Sequence, residues 1–252
     1  MIRLIRAEFL KLRTIRLPFL LLGGAALLTA FMAALKAFRA GGVGHMAIPP
    51  LDTVAGQTAV LASTDFALLL ALVFGAIVAT SEFRHGTATA TYLATPRRNR
   101  VLAAKAVAAG GFGLLFGLVG GVVSTAIGLG FVGVEGLDFA VSAGTIAGYV
   151  GGAALGSAIL AVAGVGLGSL IRDQVAATIV AFAWGFVIER LLALLVTSWA
   201  PYLPFTAAAS LAGVTVRDAS MLSFGWSALL VLAVGAVILA VAARTTVPRD
   251  VS

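Results

Sequence analysis

Six long apolar runs, each divided from the next by a polar stretch, leave this chain few architectures. They cover about 18–35, 54–80, 107–134, 143–170, 176–198 and 222–243. At the rise of an α-helix, each run is long enough to cross a hydrocarbon core of about 30 Å. A single soluble core could not hide so much apolar surface, because 61% of the 252 residues are hydrophobic and 11% are charged. The pattern predicts an all-α polytopic membrane protein, one transmembrane domain over 1–252 with six transmembrane helices.

The stretch ahead of the first run, residues 1–17, carries Ile2, Ile5, Phe9 and Leu12 at spacings of three and four, among Arg3, Arg6, Lys11, Arg13 and Arg16. Such a stripe predicts an amphipathic helix lying in the membrane interface, where basic residues meet anionic lipid. Glu8 and Lys11, three apart, can pair on its surface. Pro18 suits the first turn of a new helix and disfavours a helical Leu17, so the chain is expected to turn there from lying on the membrane to crossing it. The first run is longer than a signal-peptide core and five more follow, which argues against cleavage.

The charges set an orientation. With the N-terminus inside, the cytoplasmic side holds Arg3, Arg6, Lys11, Arg13, Arg16, Arg84, Arg97, Arg98, Arg100, Lys105, Arg172, Arg244 and Arg249, and the outside holds Lys36, Arg39 and Arg217. That is the positive-inside pattern, with both termini cytoplasmic. The net charge of +7 is absorbed by this asymmetry and by lipid, so nucleic acid is not expected as a partner. A richness in Ala, Gly, Val and Arg over Lys points to a GC-rich bacterial genome, hence to a bacterial cytoplasmic membrane.

Catalytic chemistry has little to build on. Cysteine is absent, His45 and His85 fall on opposite sides, and no His-Glu-x-x-His helix or Gly-x-x-x-x-Gly-Lys-Ser/Thr loop occurs. Ser124, Ser157 and Ser169 lie in apolar helices with no histidine in reach. The chain is not expected to be an enzyme or to bind a metal or cofactor of its own. Glycines four apart, Gly113, Gly117 and Gly121, then Gly144, Gly148, Gly152 and Gly156, with Gly164 and Gly168 beyond, read as close helix packing.

The polar stretch at 81–105 is the longest interruption. The second helix is expected to run past Ser81 to about His85, with Gly86 breaking it and Thr87 capping a short helix to Ala94. Thr95 then serves as N-cap with Pro96 at the first helical position, and the arginines lead into the third span. The product is a short cytoplasmic helix between two membrane helices, suited to passing the movement of a docked protein to the spans. A basic loop that only sets topology fits the same geometry.

The sequence Ser81-Glu82-Phe83-Arg84-His85-Gly86-Thr87, then Leu93-Ala94-Thr95-Pro96-Arg97-Arg98 and Lys105, resembles the loop between helices two and three of type-2 ATP-binding-cassette (ABC) permeases. Glu8-Phe9-Leu10-Lys11-Leu12-Arg13-Thr14 is similar to that family's opening helix. The resemblance implies a permease subunit that pairs with a second permease subunit, as homodimer or related heterodimer, and with two copies of a separate ATPase that binds ATP and Mg. It places ATPase coupling at Glu82, Arg84, Gly86 and Thr87, the family's connecting helix at 1–17, and an outer gate at 199–221. His85 departs from the acid or polar residue of many members.

Glu189 and Arg190 are the charged pair deep in a span. Neighbours on a helix point about 100° apart, so each needs a partner on another helix or lines a substrate path. Trp199 and Tyr202 sit where an outer aromatic belt is expected, and Pro201 and Pro204 suit broken helices. Two readings of function follow: the membrane subunit of an ATP-driven exporter, or an ATPase-independent carrier or scaffold. A carrier calls for midplane ionisable groups and interrupted helices in matching halves, and these halves do not match.

Overall fold

The computed structural model describes residues 1–42, 48–87, 93, 97–215 and 220–245. Its regular elements are helices, and among the described residues six are long and apolar enough to cross a membrane. In chain order the helices begin with α1 (Ile2–Thr14), α2 (Leu17–Phe38), α3 (Val54–Leu61), α4 (Asp65–Arg84), α5 (Arg98–Val134), α6 (Ala143–Ile171) and α7 (Gln174–Phe182). A π-helical turn (Ala183–Ile188) joins α7 to α8 (Glu189–Leu195). A 3-10 turn (Thr197–Tyr202), α9 (Pro204–Leu211) and α10 (Phe224–Thr245) complete the described chain. His45, the proposed short helix after Thr87 and the Thr95-Pro96 cap fall outside the described residues, Leu93 apart, as do Arg217 and Arg249.

The α3–α4 unit is the hub. Its apolar window is 83% buried inside the bundle, against 22% for α2, for the α7–α8 span and for α10. The faces left open on those outer helices are apolar, with Leu27 and Phe31 on α2 and Leu229 and Val237 on α10 exposed. Helices α5 and α6 flank the hub, and glycines set how close they come. A Cβ at Gly117 on α5 would meet the Ala153 backbone of α6, and one at Gly164 on α6 would meet Leu72 and Gly75 of α4. Only small residues permit such contact, and where hydrocarbon surrounds the helices that closeness supplies their dispersion energy. Gly152 and Gly156 take the same role against Leu211 and Ala208 of α9, whereas Gly148 meets nothing.

Three element boundaries differ from the sequence reading. The helix break ahead of the first span falls at Ile15, whose backbone is extended, and Leu17 is already helical ahead of Pro18. The helix of the third span begins at Arg98, well ahead of the apolar run at 107, and its basic first turns lead straight into the span. The second run is not one helix: it breaks at Ala62-Ser63-Thr64. Lys36 of α2 and Ser124 of α5 cover the carbonyls freed there, donating to Ala59 O at 3.2 Å and Leu61 O at 2.9 Å. A cation at a helix C-terminus also meets the negative end of its dipole.

Gln57 clamps the same end of the bundle. Its amide nitrogen donates to Leu51 O and Asp138 O at 3.0 and 2.9 Å, and its oxygen accepts from Ala140 N at 2.9 Å. One buried amide thus fixes the loop before α3 and the loop between α5 and α6. Gln57→Leu leaves all three groups without their partner and is expected to cost about 2 kcal/mol. A thermal melt in detergent measures it, and an unchanged midpoint would show that water replaces the amide.

Candidate functional site

Helix α4 ends in a reversal. Gly86 has φ +66°, with Gly86 N donating to Phe83 O at 3.3 Å and Thr87 N to Glu82 O at 2.9 Å. These two bonds make a Schellman cap, which needs a left-handed residue after the helix. A Cβ at Gly86 would meet nothing within 4 Å. Conformation alone, and not the steric clash that a tight reversal suggests, calls for glycine here. Arg84 and Thr87 are exposed, and His85 Nδ1 lies 2.7 Å from Ser81 O.

Glu82 points the other way, into the bundle. Helix α1 lays Phe9 and Leu12 on α5, with the Phe9 ring stacked on Phe112 at 6.1 Å between centroids and seated over Gly111, while Ile2 at the head of the stripe stays exposed. That placement buries Glu8 and brings it to Lys105 of α5. Four side chains then close a ring of alternating charge: Lys11 Nζ donates to Glu8 Oε1 at 2.7 Å and to Glu82 Oε1 at 2.9 Å, and Lys105 Nζ reaches Glu8 Oε2 at 3.1 Å and Glu82 Oε1 at 2.9 Å. The ring is neutral, and three of its members are nearly closed to solvent, with side-chain exposures of 6% for Glu8, 7% for Lys105 and 11% for Glu82. Buried charge is tolerated only when paired in this way. Lys11, half-exposed, completes the ring: partial burial works against its charge, but hydrogen bonds to the two carboxylates and their charge outweigh that, so its pKa is raised. A raised lysine pKa stabilises fully below the pKa of free lysine and fades only as pH climbs through the higher folded value, so the ring is intact at neutral pH.

The ring joins α1, α4 and α5, and α4 and α5 are the helices that bracket residues 85–97. A further contact ties in the next turn: the Arg172 guanidinium, at the C-cap of α6, lies over the Phe83 ring at 5.6 Å.

Glu189 and Arg190 occupy the opposite end, beside the helix break. Arg190 Nη2 lies 3.3 Å from Asp65 Oδ1 in the first turn of α4, and its guanidinium sits over Phe186 at 5.6 Å. Glu189 is fully buried and accepts four hydrogen bonds, from Trp184 Nε1 at 2.6 Å, Phe205 N and Thr206 N at 2.9 Å each, and Thr206 Oγ1 at 3.2 Å. Residues five apart share a face in a π-turn, and the Ala183–Ile188 turn is what stacks Trp184 over Glu189. The two backbone donors belong to the first turn of α9, where N–H groups lack intrahelical partners. The carboxylate therefore fastens α9 to the fifth span, and the two neighbouring charges serve different helices.

Residues 4–188 match the family model described as ABC-2 family transporter protein. The chain belongs to that family. The match takes in the four-residue ring and the 81–105 stretch, and it ends one residue before Glu189. No curated protein matches the sequence. As an ABC-2 transporter membrane protein, the chain is a non-catalytic, multi-pass permease component, and permeases of the family pair with ABC ATPase subunits. Of the residues singled out in this ABC-2 permease, Arg84, Gly86 and Thr87 cluster at the end of α4, whereas Glu82 lies in the ring. Glu8, Lys11 and Lys105 join it there; they lie in the two stretches that carry the resemblance, but apart from the i,i+3 pair of Glu8 and Lys11 the sequence does not bring them together.

Proposed function

We propose that this chain is the membrane subunit of an ATP-driven exporter, which pairs with a second permease subunit, identical or related, and two ATPase copies. The segment after Gly86 docks on the ATPase, and the ATPase's closing movement enters the bundle through the ends of α4 and α5. The observation that carries this reading is the Glu8–Lys11–Glu82–Lys105 ring, because it makes α1, α4 and α5 one mechanical unit at the docking end. Neutral and internally paired, it transmits displacement without opening a charge to hydrocarbon. In this reading the ring end is cytoplasmic, in a bacterial cytoplasmic membrane. The Thr197–Leu211 region closes the outer side as a gate, and Glu189 and Arg190 anchor helices there instead of lining the path. Glu82 orients α1 and α5, and the docking contacts fall to Arg84, Thr87 and the residues beyond.

The test uses the left-handed turn. Gly86→Asn can adopt φ +66°, whereas Gly86→Val is strained there by more than about 1 kcal/mol. In vesicles holding the permease and its co-purified ATPase, Gly86→Val is expected to cut substrate-stimulated ATP hydrolysis roughly tenfold at normal membrane abundance, and Gly86→Asn to keep most of it. Wild-type stimulation in the valine variant would remove the coupling assignment.

A further inference from the structure

An apolar cavity of about 240 Å³ lies behind Glu189, between the π-turn, α6, α9 and α10. Leu160 and Ala163 of α6, Phe205 of α9, and Val231 and Gly235 of α10 are among the residues that line it. Val180 and Trp184 also line it and are 42% and 41% exposed in the protomer, so the cavity opens between the fifth and sixth spans, two helices apolar enough to cross a membrane. Glu189 contributes no free acceptor, because Trp184, Phe205 and Thr206 already engage both of its oxygens.

We propose that this cavity binds one acyl chain of a membrane lipid. Three considerations select that occupant. Water is unsuited, since an apolar cavity stays dry even at about 150 Å³, and here the two polar side chains in the wall, Trp184 and Glu189, are hydrogen-bonded to each other. A helix of a second copy, about 10 Å across with its side chains, is too wide to enter. The medium at the mouth is hydrocarbon, and a chain entering from it gains dispersion contacts with walls that otherwise face a void. The headgroup stays in the interface while the tail reaches inward beside Trp184. Through Trp184 and Phe205 the bound tail touches both the donor to Glu189 and the helix that Glu189 holds, so lipid occupancy bears on how firmly α9 is seated.

The experiment places the purified permease in liposomes containing phosphatidylcholine with a mid-chain diazirine. After illumination, mass spectrometry locates the adducts. Adducts are expected on Leu160, Ala163 or Val231, which are 3%, 6% and 1% exposed and out of reach of the lipids that merely surround the protein. Exposed Leu229 and Val237 serve as the control for that annular lipid. Gly235→Leu fills the cavity from α10, where the nearest atoms to a new Cβ lie at ordinary contact, 3.7 Å. It is expected to cut the buried adducts severalfold and leave the control adducts unchanged. Ala163→Leu repeats the test from α6, whose Ala163 Cβ is one of those nearest atoms. Adducts confined to Leu229 and Val237 in the wild type would overturn the proposal, as would buried adducts that persist in both variants. Neither readout depends on ATP or on the partner ATPase, so failure here leaves the exporter reading untouched.

Discussion

Lys105→Leu is expected to destabilise the permease by about 3 kcal/mol, the usual cost of removing one partner from a buried ion pair. Without Lys105, the Glu8 and Glu82 carboxylates share only Lys11, and one negative charge is left unpaired where side-chain exposure is 6% and 11%. Lys11→Leu removes the same charge from the other side of the ring. There the side chain is 47% exposed, so water and counterions reach the gap and the loss should stay under about 1 kcal/mol. The double variant Glu8→Leu with Lys105→Leu deletes one charge of each sign and keeps the Lys11–Glu82 pair at 2.9 Å, so it should recover much of the stability. Thermal unfolding in detergent separates the three variants. Equal midpoints for Lys105→Leu and Lys11→Leu would mean that the ring is solvated and carries no special weight. If α1, α4 and α5 move as one unit as proposed, transport should follow the same order.

The six helices are readable in the sequence because run length and apolarity are local properties, and the bilayer penalises any unpaired backbone that interrupts them. The cap at Gly86 is readable for a related reason, since a glycine that follows a run of helix formers marks a left-handed turn. The ring is different. Lys11 and Glu82 are 71 residues apart, and Lys105 and Glu8 are 97 apart, so no window of sequence contains the pairing. The available clue was an excess of charge at positions otherwise suited to burial: Glu8 shares a face with Leu12 in a stripe that must pack against something. The break at Ala62-Ser63-Thr64 contains neither Gly nor Pro, the residues that usually announce one. Its signal was Ser-Thr-Asp, a run of helix-capping residues inside an apolar segment. The π-turn has no comparable signature, and the four donors around Glu189 come from one indole, one hydroxyl and two backbone groups, none of which hydropathy registers.

Replacing Glu189 should have the second large effect, and the chemistry of its partners makes even glutamine a severe change. All four groups that meet the carboxylate are donors. An amide offers one acceptor oxygen, and its NH2 is a donor facing other donors, so Glu189→Gln leaves N–H groups unsatisfied in a closed, water-poor setting. Phe205 N and Thr206 N are first-turn amides of α9 with no other helical partner, so the loss falls on the seating of that helix. A local destabilisation of about 2 kcal/mol corresponds to roughly thirtyfold faster amide exchange at those positions. Hydrogen–deuterium exchange on the peptide covering α9 is the direct measurement, with α4 amides unchanged as the internal control. Arg190→Gln provides the contrast: its side chain is 55% exposed and its partners are Asp65 of α4 and the Phe186 ring, neither of them in α9, so exchange in α9 should stay at the wild-type rate. Export should fall in Glu189→Gln if the Thr197–Leu211 region gates the outer side, because a helix that is no longer held cannot close reproducibly. Wild-type exchange in α9 of Glu189→Gln would show that the carboxylate is not what holds that helix, and the gate would need another anchor.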